Sequence, residues 1–425
     1  MTSSSDSTAS SGSSALTRRT LLGLASAGLA AALLPMSASA SASAPGSARA
    51  ATEAGAVAAR LPAPTGPYGI GTVSARLVDR SRHDPWVPAQ PYRELMVSVW
   101  YPAAPGAGDG RPRARYMAPG AAAPWDASAP HGIPKGALDF AATRTHAREG
   151  APADTRGGRR PVLVYAAGAG DPRTWGTALV EEMAGRGYVV VTLDHTYESP
   201  AVQFPDGSVK DFGPVMKAFQ EAEKNGTVPQ LLKKTTDVRV ADSKFLLDSL
   251  GSLPHGLSAL VDRRRVGMVG HSAGGIAAAQ TMYEDRRVRA GVNLDGTLEF
   301  NSEPQGTNLM PVAEHGLDRP FLLMGSDRPT EPSWRAFLSH STGPHRELTL
   351  RGSLHQAYTD LSALLPQTGA DRATLEKNIG TVDPGRAVTA QRAYVASFFD
   401  RWLKNEDDGL LDGPSARYPE IEFTG

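Results

Sequence analysis

Gly270-His271-Ser272-Ala273-Gly274 is the chain's one match to G-x-S-x-G. A serine hydroxyl attacks an acyl carbon well only when a base takes its proton. The pentapeptide follows residues 265–269, which read as a short buried strand, and precedes a helix-forming run, residues 276–282. Strand, tight turn and helix with serine at the apex describe a nucleophile elbow, which lifts the hydroxyl above a sheet. Flanking glycines let strand and helix pass closely. The motif alone is weak in a chain with 44 glycines. Its context must carry the reading.

A serine nucleophile needs a histidine base, and the base needs a carboxylate. In this kind of fold the chain order is Ser, acid, His. Four histidines follow Ser272: His315, His340, His345 and His355. His355 comes just after the last strand-like run, residues 346–350, where a loop can fold back over the elbow. His345 stands at the wrong end of that run. His315 and His340 fall in loops or helix ends, and His271 is expected to pack with its ring turned from the serine. Two aspartates end strand-like runs. Asp295 closes 290–294 and Asp327 follows 321–324. Both are strand C-terminal ends, where catalytic groups gather in open α/β sheets. The residues leave the choice open, leaning slightly to Asp327. The oxyanion of an acyl transfer needs two backbone N–H donors. Ala273 is one candidate, and the loop Gly168-Ala169-Gly170 offers the other.

The elements around these residues alternate. Residues 72–78 and 95–101 read as an opening strand pair. Residues 161–166 and 188–193 read as buried strands around a helix ending near residue 184. Residues 102–157 predict surface loops and short helices. Residues 197–262 predict at least two helices and no strong strand. In that insertion Phe212, Val215, Met216 and Phe219 share one helical face. Such a stripe faces a core more often than it forms a lid. A helix over 389–403 closes the pattern. Continuous apolar strands between helices predict an α/β-hydrolase fold. Its central sheet is mostly parallel, with helices on both faces and a helical insertion, about residues 197–262, over the strand C-terminal ends.

The N-terminal residues read as an export signal. Arg18-Arg19 precede an apolar run over 21–34, and small-residue cleavage patterns end at Ala40, Ala44 and Ala50. Paired arginines point to the twin-arginine export machinery as a partner. The run is too short to span a bilayer comfortably. The expected organisation is a signal over 1–44, an Ala/Ser/Pro-rich linker over 45–65 and one domain over 66–425, secreted from the cell. The formal net charge is zero. With no basic block, nucleic-acid binding is not expected. The chain has no cysteine, which excludes disulfides and thiolate chemistry. No metal-binding or dinucleotide motif appears, and no cofactor is expected.

The chain resembles the plasma-type, isoform II-like platelet-activating factor acetylhydrolases and their secreted bacterial lipase relatives, over most of residues 66–403. Gly66-Pro67-Tyr68-Gly69-Ile70-Gly71 is similar to that family's opening, and Val99-Trp100-Tyr101-Pro102 to the end of its second strand. Gly270 to Gly275 resembles its elbow, and Gly352-Ser353-Leu354-His355-Gln356 its histidine loop. The resemblance implies an acid on the strand right after the elbow. That selects Asp295, 23 residues past Ser272. It maps the oxyanion donors to Ala169 and Ala273, and leaves Asp327 a structural role. The loop Ala166-Ala167-Gly168-Ala169 departs from the family in lacking a histidine before the glycine, while the backbone donor survives that change.

The implied activity is hydrolysis of short-chain or lipid esters through an acyl-enzyme on Ser272, with transient contact at a lipid interface. A broad lipase or cutinase-like polyester or triglyceride hydrolase is the alternative. A serine peptidase on the same fold is a further rival, as is a catalytically silent binding protein. Since a histidine base must be neutral, activity is expected to fall as pH drops through roughly 6–7.

Overall fold

The computed structural model describes residues 56–300, 305–329 and 331–424. Its strands are β1 (Ile70–Asp79), β2 (Arg93–Pro102), β3 (Arg113–Arg115), β4 (Arg144–Glu149), β5 (Arg160–Ala166), β6 (Val189–Asp194), β7 (Ala201–Gln203), β8 (Val209–Asp211), β9 (Val261–His271), β10 (Val288–Leu294), β11 (Phe321–Ser326), β12 (His345–Leu350) and β13 (Ile421–Phe423). Its α-helices are α1 (Pro119–Ala127), α2 (Thr177–Gly185), α3 (Gly213–Asn225), α4 (Val228–Ser249), α5 (Ala273–Glu284), α6 (Pro311–His315), α7 (Pro332–His340), α8 (Leu361–Leu364), α9 (Arg372–Ile379) and α10 (Pro384–Phe399).

Eleven strands form one sheet in the order β13-β12-β11-β10-β9-β5-β6-β2-β1-β4-β3. From β12 to β6 every neighbouring pair is parallel. β5, β6 and β11 are buried along their whole length. Both faces are covered, so these strands read as continuous apolar runs rather than alternating ones. Alternate residues still face opposite ways. Leu163 and Tyr165 join the core formed with α2 and α10, while Val162, Val164 and Ala166 join that formed with α4, α5 and α7. The expected α/β-hydrolase architecture is present.

The edge is richer than the sequence predicts. β1 and β2 pair antiparallel over ten residues each. Residues 102–157 hold the expected short helix α1, but also β3 and β4, which extend the sheet beyond β1. β4 spells Arg-Thr-His-Ala-Arg-Glu, and only Thr145 and Ala147 are buried in it. One small apolar side chain gives no strand signal.

The insertion contains α3 and α4 and a small antiparallel hairpin, β7 with β8, where no strong strand was expected. Val215 and Phe219 are buried with Trp86, Tyr197, Leu231 and Val238, and Phe212 and Met216 pack against that cluster. The apolar stripe is core, not an open lid face. The C-terminal part of α4 drives Leu246 and Leu247 into the main core.

The residues expected to be linker, from 56 to 65, are docked on the domain. Ala59 and Leu61 are buried in the core. Thr65 donates its backbone N–H to Glu182 Oε2 at 2.8 Å. Arg392 on α10 donates to the carbonyls of Ala63 at 3.0 Å and Pro62 at 2.9 Å. A composition rich in Ala, Pro and Ser hid two apolar anchors and a backbone path that side chains elsewhere satisfy. The signal segment expected over residues 1–44 lies outside the described residues. Among the described residues, no helix is long and apolar enough to cross a membrane.

Candidate active site

The elbow is built by the crowding of β9, β10 and α5. Ser272 follows the last residue of β9 and precedes the first of α5, at φ 54° and ψ −122°. A non-glycine residue there is strained by about 1–3 kcal/mol and persists only when its surroundings hold it. They do. Ser272 N donates to Leu294 O at 2.8 Å, and Ile276 N donates to Ser272 O at 3.0 Å. The glycines of the motif are steric necessities. A Cβ on Gly270 would lie 2.2 Å from Gly274 C, and one on Gly274 would lie 1.9 Å from Ala166 O.

Asp295 follows β10 at φ 60°. Its Oδ2 accepts from His355 Nδ1 at 2.6 Å. Its Oδ1 accepts from Ser326 N at 2.8 Å and Arg328 Nη2 at 3.0 Å, and Ser326 Oγ donates as well. Burial alone would raise this carboxyl's pKa. The His355 hydrogen bond and the Arg328 charge outweigh it and hold the pKa at about 2. The carboxylate is therefore ionised, and His355 carries its proton on Nδ1. That tautomer leaves Nε2 free to accept a proton.

Asp327 serves a different purpose. Its Oδ2 accepts from Gly352 N at 2.7 Å, and its own N–H donates to Ser353 O at 3.2 Å. It clasps the loop that carries His355 but does not touch the imidazole in this arrangement. The two aspartates that spacing could not separate differ by one strand and by which part of the histidine loop they hold.

His271 does more than pack. Its Nε2 donates to the backbone carbonyl of His355 at 2.9 Å, and the two rings lie 4.4 Å apart between centroids. Burial, then the neighbouring His355, push its pKa down to about 3. It is neutral and acts as a single N–H donor. The other three histidines that follow Ser272 each bond a backbone carbonyl. His315, His340 and His345 each bond through Nδ1 to the carbonyls of Pro311, Ala313 and Gly343.

The candidate oxyanion donors sit on two elements. Ala273 opens α5, where unpaired N–H groups and the helix dipole favour negative charge. Ala169 lies in a four-residue turn. Asp171 N closes onto Gly168 O at 3.3 Å, and Gly170 takes φ 77°. Asp171 also accepts from His131 Nε2 at 2.8 Å, and the His131 ring stacks on Trp175. Ser326, Arg328, His131 and Asp171 are not among the residues that the sequence singles out. Arg328 and Ser326 flank Asp327 in the sequence and could have been found as strand-end neighbours. His131 and Asp171, 40 residues apart, gave no signal. Among the described residues, no group of three His, Asp or Glu side chains is arranged to hold a metal ion.

A family model described as platelet-activating factor acetylhydrolase, isoform II, matches residues 135–409. A protein of the fungus Arthroderma benhamiae, named a probable 1-alkyl-2-acetylglycerophosphocholine esterase, is 29% identical over 386 residues, covering 85% of this chain and 93% of its own. The Bos taurus platelet-activating factor acetylhydrolase is 25% identical over 294 residues, covering 60% of this chain and 63% of its own. Among solved structures, a ferulic acid esterase from Streptomyces cinnamoneus superposes with a TM-score of 0.69 at 35% identity. The match covers 88% of this chain and all of that one.

Proposed function

Since the chain belongs to the platelet-activating factor acetylhydrolase isoform II family and is a serine-type ester hydrolase acting on small-molecule or lipid esters, we propose that Ser272, His355 and Asp295 carry its acyl transfer. The observation that carries the assignment is the 2.6 Å bond from His355 Nδ1 to Asp295 Oδ2, beside a serine held at φ 54°. Ser272 Oγ attacks the ester carbonyl while His355 Nε2 takes its proton. The negative charge passes to the carbonyl oxygen, which Ala169 N–H and Ala273 N–H receive. Collapse of the tetrahedral intermediate expels the alcohol, protonated by His355, and leaves an acyl-serine. His355 then deprotonates a water molecule, whose attack forms a second tetrahedral intermediate, and its collapse returns the proton from His355 to Ser272 Oγ and releases the acid. Asp295 stays ionised throughout and stabilises the imidazolium.

The preferred substrate in this reading is a short-chain ester on a glycerophosphocholine. An aromatic acid ester is the second reading, favoured by the structural relative named a ferulic acid esterase. Initial rates on p-nitrophenyl acetate, an acetylated glycerophosphocholine and methyl ferulate separate them. The acetylated phospholipid is expected to give the highest kcat/KM. A clear preference for methyl ferulate would replace the first reading with the second. Export through Arg18 and Arg19 is proposed from the sequence. Changing both to Lys should leave the protein in the cytoplasm, and undiminished secretion would refute it.

A further inference from the structure

The helical insertion reaches the candidate oxyanion loop through one buried side chain. Arg239 on α4 donates from Nη1 to Ala167 O at 2.7 Å and from Nη2 to Gly168 O at 3.2 Å. Its Nε donates to Glu198 Oε2 at 2.6 Å. Glu198 Oε1 also accepts from Trp86 Nε1 at 3.2 Å, and the Glu198 backbone carbonyl accepts from Gly170 N at 3.0 Å. Arg239 and Glu198 are both buried, so the guanidinium and carboxylate pair with each other out of water. Three successive peptide groups, from residue 167 to residue 170, are thus held from the insertion side.

A trans peptide is planar, and its C=O and N–H point opposite ways. Tying Gly168 O to Arg239 therefore directs the N–H of Ala169 away from the guanidinium. The turn's own bond, from Asp171 N to Gly168 O, makes no use of that N–H. The same loop presses on the elbow. A Cβ on Gly168 would lie 3.2 Å from His271 Nδ1, and one on Gly274 would lie 2.8 Å from Ala167 O. A loop of small residues has little packing of its own to fix its peptide planes. The five donors of a guanidinium, in a rigid fork, can fix two carbonyls and a carboxylate at once.

We propose that Arg239 is a positioning residue for acyl transfer. It pins the carbonyls of Ala167 and Gly168, so that Ala169 N–H is set to receive the oxyanion formed on Ser272. The insertion is then a structural support of the oxyanion hole rather than a cover over it. The proposal rests on the assignment of Ser272 as nucleophile.

Two variants test it. Arg239→Lys keeps the charge beside Glu198 but cannot fork to two carbonyls. The double variant E198Q/R239M removes both charges, so neither is left buried and unpaired. For variants with melting temperatures near the parent's, kcat on p-nitrophenyl acetate should fall roughly 10- to 100-fold, less than for outright loss of an oxyanion donor. KM should stay within about threefold, as expected for an interaction made only in the transition state. A trifluoromethyl ketone, which forms a tetrahedral oxyanion on the serine, should lose affinity by the same factor as kcat/KM. Folded variants with kcat within threefold of the parent would overturn the proposal. So would a fall in kcat with unchanged ketone affinity. The unaltered protein provides an arm independent of folding. In a crystal of its phosphonate adduct, the phosphonyl oxygen should lie within hydrogen-bond distance of Ala169 N, with Arg239 on both carbonyls. An adduct with that N–H turned away overturns it. Whether the phosphonate sits on Ser272 tests the underlying assignment separately.

Discussion

At the scale of the residue, the decisive contact is the one between His355 and Asp295. Ser272 and His355 stand out in the sequence as candidates because each lies in a short motif with a fixed place at a strand end. No such motif marks the proposed acid. Asp295 and Asp327 both close parallel strands, and spacing says nothing of where a side chain turns after the strand stops. Asp295 turns at φ 60° onto His355 Nδ1, while Asp327 takes Gly352 N instead. Resemblance to a family, not physics, had separated them. The two roles predict different losses. Asp295→Asn leaves the geometry intact but lets the imidazole adopt the wrong tautomer, and should lower kcat/KM by about 10³–10⁴. Asp327→Asn keeps an oxygen for Gly352 N and should stay within about tenfold of the parent. Initial rates on p-nitrophenyl acetate decide it, and the reverse ranking would move the acid to Asp327.

The elements show where sequence patterns speak and where they fall silent. The buried parallel strands were readable because strands covered on both faces are apolar throughout. The apolar stripe on α3 was readable as a face, and its partners, Trp86 and Tyr197 among them, made it core. Buried charge was not readable. Asp242 on α4 is enclosed with Arg93 and His195, bonding to Arg93 Nη2 at 2.7 Å and to His195 Nδ1 at 2.9 Å. Burial would raise its pKa, but the Arg93 charge and the bonds from His195 and Arg93 hold the group far below the usual carboxylate range. In the sequence, Arg239 and Asp242 look like an ordinary solvated helix face. Their partners are more than forty residues away and only the fold brings them together. Residues 56–65 fail for the opposite reason. Their composition suggests a tether, yet Leu61 is a core residue.

For the whole molecule, the balance of buried titratable groups sets how stability responds to pH. His271 is held at about 3, by burial first, against an ordinary value of 6.5. The unfolded chain takes up a proton below 6.5 that the folded one refuses. The stability His271 contributes is therefore complete above about pH 6.5 and is lost as pH falls toward 3. Glu181 does the reverse. Burial raises it to about 7 from 4.5. Its contribution is complete below 4.5 and is lost as pH rises through 7. The two oppose each other between about pH 4.5 and 6.5. Single substitutions expose the two contributions. Relative to the parent, His271→Gln should gain stability as pH falls from 6.5, by at most about 1.4 kcal/mol per pH unit. Glu181→Gln should gain it as pH rises from 4.5 to 7. Urea unfolding at pH 4.5, 5.5, 6.5 and 7.5 measures both, and parallel profiles for parent and variants would contradict the argument.

All of this turns on one hydroxyl. The elbow, the His355 loop and the Asp295 carboxylate matter to catalysis only if Ser272 is acylated. A fluorophosphonate reacts with the serine that a neighbouring base has activated and leaves a stable mass on it. Labelling to complete inhibition, followed by peptide mass spectrometry, is predicted to place one phosphonyl group on Ser272, and Ser272→Ala should be neither labelled nor active. Complete inhibition with the adduct on another residue, or esterase activity surviving in Ser272→Ala, would contradict the account.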